Sequence, residues 1–147
     1  MRPANGPEEG IDYNGSFIIS GGTIISAGSN SNMTKAMSNA STQVGMFIRS
    51  SAVLSSGSLL HIESAAGTEM VTFKPKNNVC YFHFSSASLA QSTQYRIYFG
   101  GSYTGGSYVG NSTGWGLYTG GTYSISGASL KSTTTTSGGS KVNTIAF

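Results

Sequence analysis

Hydrophobic and polar side chains alternate with a period of two along the middle of the chain, over residues 70–101. This stretch contains three such runs, and each ends at a break in the pattern. Alternation rich in aromatic and β-branched residues is typical of strands with one buried face. We therefore interpret the stretch as the centre of an antiparallel β core. The residues predicted to share a face within each run are Val71 and Phe73, then Cys80, Phe82 and Phe84, and then Tyr95, Ile97 and Phe99.

Shorter runs of the same kind lie on both sides of this centre. Strands are predicted at residues 43–49 and 58–63 before it, and at residues 122–130 and 141–147 after it. Short, turn-rich connections favour an antiparallel arrangement over alternating strands and helices. The pattern therefore predicts an all-β fold whose antiparallel, sandwich-like or barrel-like core occupies residues 30–147.

The N-terminal part is predicted to be separate from this core. Residues 1–10 contain prolines, glycines and glutamates, and we interpret them as a linker or a cut edge. Residues 11–29 contain two short predicted strands, 16–20 and 23–27, separated by a Gly-Gly turn. They would form either a plain hairpin or one β-helix-like coil, and a single coil cannot bury its own apolar face.

A glycine- and tyrosine-rich stretch, GGSYTGGSYVGNSTGWGLYTGG, follows the central strands. It is predicted to be a long, ordered surface loop or hairpin. Tyrosine and tryptophan combine a flat apolar face with a polar edge, which suits the ring of a pyranose. The candidate ligand-binding residues are therefore Tyr103, Tyr108, Trp115 and Tyr118, with Asn111 as a polar partner. The alternative is that these aromatic side chains pin the loop onto the core.

Composition and charge narrow the range of partners. Only 9% of the residues are charged and the net charge is +3, which suits an all-β protein outside the cell. The eight lysines and arginines are scattered, so we predict no nucleic-acid binding, and acidic polysaccharide stays an alternative to a solvated basic surface. No apolar run approaches the roughly 18 residues of a membrane helix, so no membrane span is predicted.

Residues suited to catalysis or metal binding are few. His61 and His83 are the only histidines, and neither has a carboxylate or cysteine at metal-ligand spacing, so both are interpreted as structural. His83 is predicted on the outer face of its strand, and Cys80, the only cysteine, is predicted to be an inert core thiol. Glu63 and Glu69 could face each other across a hairpin, but nothing else suggests a catalytic carboxylate pair. We therefore predict no enzyme activity, no cofactor and no metal site.

Three stretches of the chain resemble a bacterial protein family. They are IDYNGSFIISGGTIISAGS (11–29), MVTFKPKNNVCYFHFSSASLAQSTQYRIYFGGS (70–102) and GLYTGGTYS (116–124). In these stretches the chain resembles carbohydrate-binding domain-containing proteins, which are secreted or surface proteins with a right-handed parallel β-helix. The first stretch is similar to the last coil of that helix, and the other two are similar to the β-rich C-terminal part. The resemblance implies an extracellular or cell-surface location.

Two functions follow as hypotheses. The main one is a non-catalytic extracellular or cell-surface module that binds polysaccharide through its aromatic residues. The alternative is a self-assembling structural subunit of an extracellular filament or surface layer. In that case the edge of the N-terminal coil would mediate self-association, because an unpaired strand edge is a template for another chain.

Overall fold

The structure consists of β-strands joined by turns and irregular segments. It is a computed structural model that describes residues 10–11, 13–29, 34–110 and 114–147. These residues form eight strands and no helix, which confirms the all-β prediction. The described ranges accordingly contain no helix of the length and apolar character needed to cross a membrane. The strands are β1 (Ile24–Gly28), β2 (Gly45–Leu54), β3 (Leu60–Ser64), β4 (Glu69–Lys74), β5 (Val79–Ser85), β6 (Gln94–Gly110), β7 (Gly116–Thr135) and β8 (Val142–Ala146).

The first sheet has the strand order β1-β5-β2-β8. β5 pairs antiparallel with both of its neighbours, and all seven of its residues are buried. β8 pairs parallel with β2, with Gly45 opposite Val142. A parallel pair needs a long connection, and here the whole second sheet lies between these two strands in the sequence.

The second sheet closes on itself in the order β3-β4-β7-β6. β6 and β7 form one long hairpin, whose base pairs with β3 through residues 95–99 of β6. Near its tip, residues 116–118 of β7 pair with residues 72–74 of β4. The hairpin therefore bends back toward β4 and completes a ring of strands. Of the two alternatives predicted for this stretch, the hairpin is the one formed, and residues 111–113 lie outside the described ranges.

The main core lies between the two sheets. The ring of Phe82 on β5 lies 6.4 Å from that of Phe73 on β4 and 6.3 Å from that of Phe99 on β6. Full burial of such a side chain stabilises a fold by about 1.5–3 kcal/mol, so these contacts determine which side of each strand faces inward. Val79 joins the core cluster and Cys80 does not, because the pairing of β5 with β2 shifts register next to Val79. Cys80 is nevertheless a buried free thiol.

A second aromatic layer covers the opposite face of the first sheet. His83 lies on this face, as predicted, but it is fully buried. Its ring stacks on Phe47 with centroids 4.7 Å apart, and Phe17 packs against it edge-on at 6.1 Å. Its Nε2 lies 2.7 Å from the carbonyl oxygen of Lys35, and its Nδ1 lies 3.2 Å from Oγ of Ser26. The N-terminal chain therefore shields this histidine from water.

The strand predicted at residues 16–20 is not formed. The backbone N–H of Ser38 donates to the carbonyl of Phe17 at 2.7 Å, and that of Thr42 donates to the carbonyl of Ile19 at 3.0 Å. This segment therefore runs beside residues 38–43, while β1 pairs with β5. The plain hairpin of 16–20 with 23–27 is wrong because the backbone groups of the first segment find partners elsewhere. Of the predicted linker, only Gly10 lies within the described residues.

Candidate functional site

Tyrosine rings packed on glycines hold the long hairpin in shape. Tyr103 on β6 lies opposite Tyr123 on β7. A Cβ atom at Gly121 would clash with the ring of Tyr103, and one at Gly101 would lie 2.6 Å from the hydroxyl of Tyr123. The Tyr103 oxygen accepts a hydrogen bond from the backbone N–H of Gly121 at 2.9 Å, and the Tyr123 hydroxyl donates to the carbonyl of Gly100 at 3.0 Å. The recurring Gly-Gly-Ser/Thr-Tyr units are therefore a packing device in which an aromatic ring covers a cross-strand glycine.

Three of the five candidate residues form one cluster on this hairpin. The ring of Tyr118 lies between those of Tyr103 and Tyr108, at centroid distances of 5.1 and 5.6 Å. The Tyr118 hydroxyl donates a hydrogen bond to the carbonyl of Gly114. Tyr103 and Tyr118 are half-buried, whereas Tyr108 is 38% exposed. Two of these tyrosines therefore pin the hairpin, and Tyr108 presents the ring that a ligand can reach. We call these three residues the tyrosine cluster.

Trp115 lies apart from the tyrosine cluster. It lines a cavity of about 290 Å³ together with Ile25 and Phe73, and Nζ of Lys76 lies 5.6 Å from the centre of its ring. Its indole Nε1 is buried and has no hydrogen-bond partner within the described ranges. The structure thus places Trp115 against the first sheet, not beside the tyrosines. Asn111, the predicted polar partner, lies outside the described residues.

A cleft adjoins Tyr118 at the point where β4 and β7 separate. The two strands pair over residues 72–74 and 116–118 alone, and the ladder between them ends there. The cleft has a volume of about 390 Å³, which lies within the range of small-molecule sites. Its lining combines hydroxyl groups, one carboxylate and an apolar floor. The polar side chains are those of Thr23, Glu69, Ser86, Ser88, Tyr118 and Thr119, and the apolar ones are those of Met70, Val71, Ala87 and Leu117.

A buried polar network lies beside this cleft and includes one of its lining residues. His61 on β3 is 2% exposed, and its ring stacks on that of Tyr123 at a centroid distance of 3.7 Å. The hydroxyl of Thr72 donates to Oε2 of Glu69 at 2.9 Å, so its oxygen accepts from Nδ1 of His61 at 2.7 Å. The other ring nitrogen of His61, Nε2, lies 3.5 Å from Oε2 of Glu63. Glu69 is therefore the residue shared by the network and the cleft.

A β-bulge brings the two glutamates together. Ile62 pairs with Val71, whereas the next residue, Glu63, pairs with Glu69, so Met70 is the extra residue on β4. The bulge reverses the alternation of side chains along β4, so Glu69 lies on the same face of the sheet as Glu63. The two glutamates do face each other across the hairpin, as the sequence allowed. What the sequence did not reveal is the histidine between them.

Burial and hydrogen bonding set the charge states in this network. Burial lowers the pKa of His61, and the carboxylate of Glu63 opposes that shift. Burial raises the pKa of Glu69, and the hydrogen bond from Thr72 opposes it. Burial raises the pKa of Tyr123 to about 12, with further contributions from Tyr98 and Glu63.

Arginine completes the network at its far side. Nη2 of Arg96 lies 2.8 Å from Oε1 of Glu63, whose side chain is only 13% exposed. This network holds β3, β4 and β7 together, and its outer side lines a smaller pocket of about 230 Å³ that also includes Thr122 and Ile125. Among the described residues, no group of three or more His, Cys, Asp or Glu side chains could hold a metal ion.

Comparisons with known proteins identify no relative of the chain. No protein-family model, no curated protein and no solved structure matches the chain.

Proposed function

We propose that the chain is a non-catalytic module that binds polysaccharide outside the cell or at the cell surface. The observation that carries this proposal is the exposed ring of Tyr108, next to Tyr118, which itself lines a hydroxyl-rich cleft. A pyranose offers CH groups to an aromatic face and hydroxyls to polar neighbours. One sugar unit would occupy the cleft, and the next would lie over the tyrosine cluster.

The rigidity of the tyrosine cluster supports this role. Tyr118 is held on both sides by aromatic rings and at its hydroxyl by a backbone carbonyl. Tyr103 is fixed by its hydrogen bond from Gly121. A site whose side chains are already ordered loses little conformational entropy when the ligand binds.

Affinity electrophoresis against a panel of soluble polysaccharides, followed by calorimetry with oligosaccharides, tests this proposal. Tyr108→Ala removes the exposed ring, and we expect affinity to fall about tenfold, since an aromatic contact of about 1.4 kcal/mol corresponds to that factor. Ile125→Ala is the matched control, because Ile125 is 56% exposed on the same hairpin but outside the tyrosine cluster. Absence of binding by the unmodified protein, or equal losses in both variants, would contradict the proposal.

A second function is favoured by the edges of the first sheet. β1 pairs with β5 and β8 pairs with β2, and no described strand covers their outer sides. We propose as an alternative that the chain assembles into an extracellular filament or layer through the β1 edge. Electron microscopy and light scattering across a concentration series test this alternative.

A charge on the edge strand makes the test of assembly specific. Ile24→Lys should suppress assembly, because an edge lysine disfavours strand pairing. Val53→Lys, at a residue that is 57% exposed on β2, is the control. Monomers alone at every concentration of the unmodified protein would argue against assembly.

A further inference from the structure

The charge of the cleft differs in sign from the charge of the whole chain. The net charge of the protein is +3, whereas Glu69 is the only charged side chain among the described residues that line the cleft. Charges more than about 8–10 Å apart across water are largely screened at physiological ionic strength. A ligand in the cleft therefore experiences the nearby carboxylate more strongly than the scattered lysines and arginines.

We propose that the cleft selects a sugar carrying a free ammonium group, as in a de-N-acetylated amino-sugar polymer, over a uronic acid. This inference rests on the proposed polysaccharide-binding function and names the class of saccharide that the same site takes. It predicts a preference for cationic sugars, whereas the net charge of +3 would by itself favour acidic ones.

The carboxylate of Glu69 lines the cleft and is available for such a contact. Its Oε2 is fixed by the hydroxyl of Thr72 at 2.9 Å, while Oε1 has no partner within the described ranges. The side chain is 34% exposed, so it is reachable from the cleft. An ammonium group has three donors. It can donate to Oε1 of Glu69 and to the hydroxyls of Ser86 and Ser88, which line the same cleft.

The serine hydroxyls fit the same ligand. Oγ of Ser86 and Oγ of Ser88 lie 2.6 Å apart and share one hydrogen bond, and Oγ of Ser86 also accepts from the backbone N–H of Ser88 at 3.3 Å. The pair still has lone pairs left to accept from a donor-rich ligand. A uronic acid would instead bring a second carboxylate beside Glu69. At about 4 Å, two like charges repel by roughly 1 kcal/mol in water and by about 4 kcal/mol at the lower effective dielectric near a protein surface. That penalty corresponds to about a fivefold or greater loss of affinity.

Calorimetry with three hexasaccharides of equal length tests the inference: glucosamine, N-acetylglucosamine and galacturonic acid. We expect affinity to follow that order, with at least about a fivefold step between the cationic and the acidic probe. Glu69→Gln keeps a hydrogen-bond acceptor for Thr72, and it should abolish the preference for glucosamine over N-acetylglucosamine. Tyr108→Ala should weaken all probes by the same factor, because stacking does not depend on the charge of the sugar.

Salt dependence of the unmodified protein gives a second measurement that needs no variant. Added salt should weaken binding of the glucosamine probe and leave that of N-acetylglucosamine unchanged. If the probes bind but galacturonic acid binds most tightly, or if Glu69→Gln leaves the order unchanged, the inference about the ammonium group is overturned while polysaccharide binding stands. If no saccharide binds, both proposals are overturned.

Discussion

Replacement of Gly121 by alanine should destabilise the protein, although a Gly→Ala substitution at an unstrained position usually raises stability by restricting the unfolded chain. A Cβ atom at this position would lie 2.5 Å from the carbonyl oxygen of Thr104 and 2.7 Å from that of Gly105, and would also clash with the ring of Tyr103. Two of these neighbours are backbone atoms in a paired strand, so they cannot move without distorting the ladder. The substitution therefore tests whether the hairpin depends on a glycine under a tyrosine ring.

The structure sets the size of the effect. Overpacking of this kind costs about 1–3 kcal/mol, and displacement of the Tyr103 ring removes its hydrogen bond from Gly121, which contributes about another 1 kcal/mol. For a domain of this size, each kcal/mol lowers the melting temperature by roughly 2–4 °C. We therefore expect Gly121→Ala to melt at least about 4 °C below the unmodified protein.

The control is Gly139→Ala. A Cβ atom at Gly139 would have no neighbour within 4 Å. Neither Gly121 nor Gly139 has a positive φ, so backbone strain does not distinguish the two substitutions. Scanning calorimetry should show Gly139→Ala unchanged or slightly stabilised, because alanine restricts the unfolded chain. Equal melting temperatures for the two variants would refute the packing argument.

Two further predictions concern the buried histidines and the ion pair. Burial lowers the pKa of His61 and His83 below the ordinary 6.5, so below that pH the unfolded chain binds protons first and the free energy of unfolding falls. The raised pKa of Glu69 has the opposite effect on the free energy of unfolding, but this is the effect of one carboxyl group against that of two imidazoles. Urea midpoints should therefore be lower at about pH 5.5 than at about pH 7.5, and an equal or higher midpoint in acid would contradict this. Arg96→Ala removes the cation that lies 2.8 Å from the partly buried carboxylate of Glu63 and should cost about 1–3 kcal/mol in urea denaturation. The double variant with Glu63→Gln should recover part of that loss, and a double variant less stable than Arg96→Ala would be inconsistent with the pairing.

The central strands could be predicted because their signal is local. Each of the three runs between residues 70 and 101 alternates within a few positions, and their inward residues, from Val71 to Phe99, pack in one cluster apart from Cys80. The course of residues 16–20 could not be predicted in this way. Its hydrogen bonds go to residues 38–43, and no local pattern specifies which distant segment supplies a backbone partner.

The sequence shows which aromatic residues the candidate site contains, but it does not show how they are arranged. The sequence shows tyrosines in a glycine-rich stretch, and three of them do meet, but which ring each one contacts depends on the register of β6 against β7. Trp115, only three residues from Tyr118, instead lines a separate cavity together with Ile25 and Phe73. The network around His61 depends on the bulge at Met70, which reverses the alternation on which sequence reasoning relies.

The short ladder between β4 and β7 has a consequence for motion. The ring of strands is closed there by three paired residues, whereas the rest of the hairpin is held along its whole length. Local opening follows the segments with the fewest contacts, so the tip should detach from β4 while the base of the hairpin stays attached to β3. Leu117 and Tyr118 point their N–H groups to opposite neighbours, and the one of the two amides that is bonded to β4 should then exchange faster than that of Ile97. Such transient unzipping would open the cleft beside Tyr118 from the side, so the polysaccharide that we propose as ligand would not need to thread a free end into the protein.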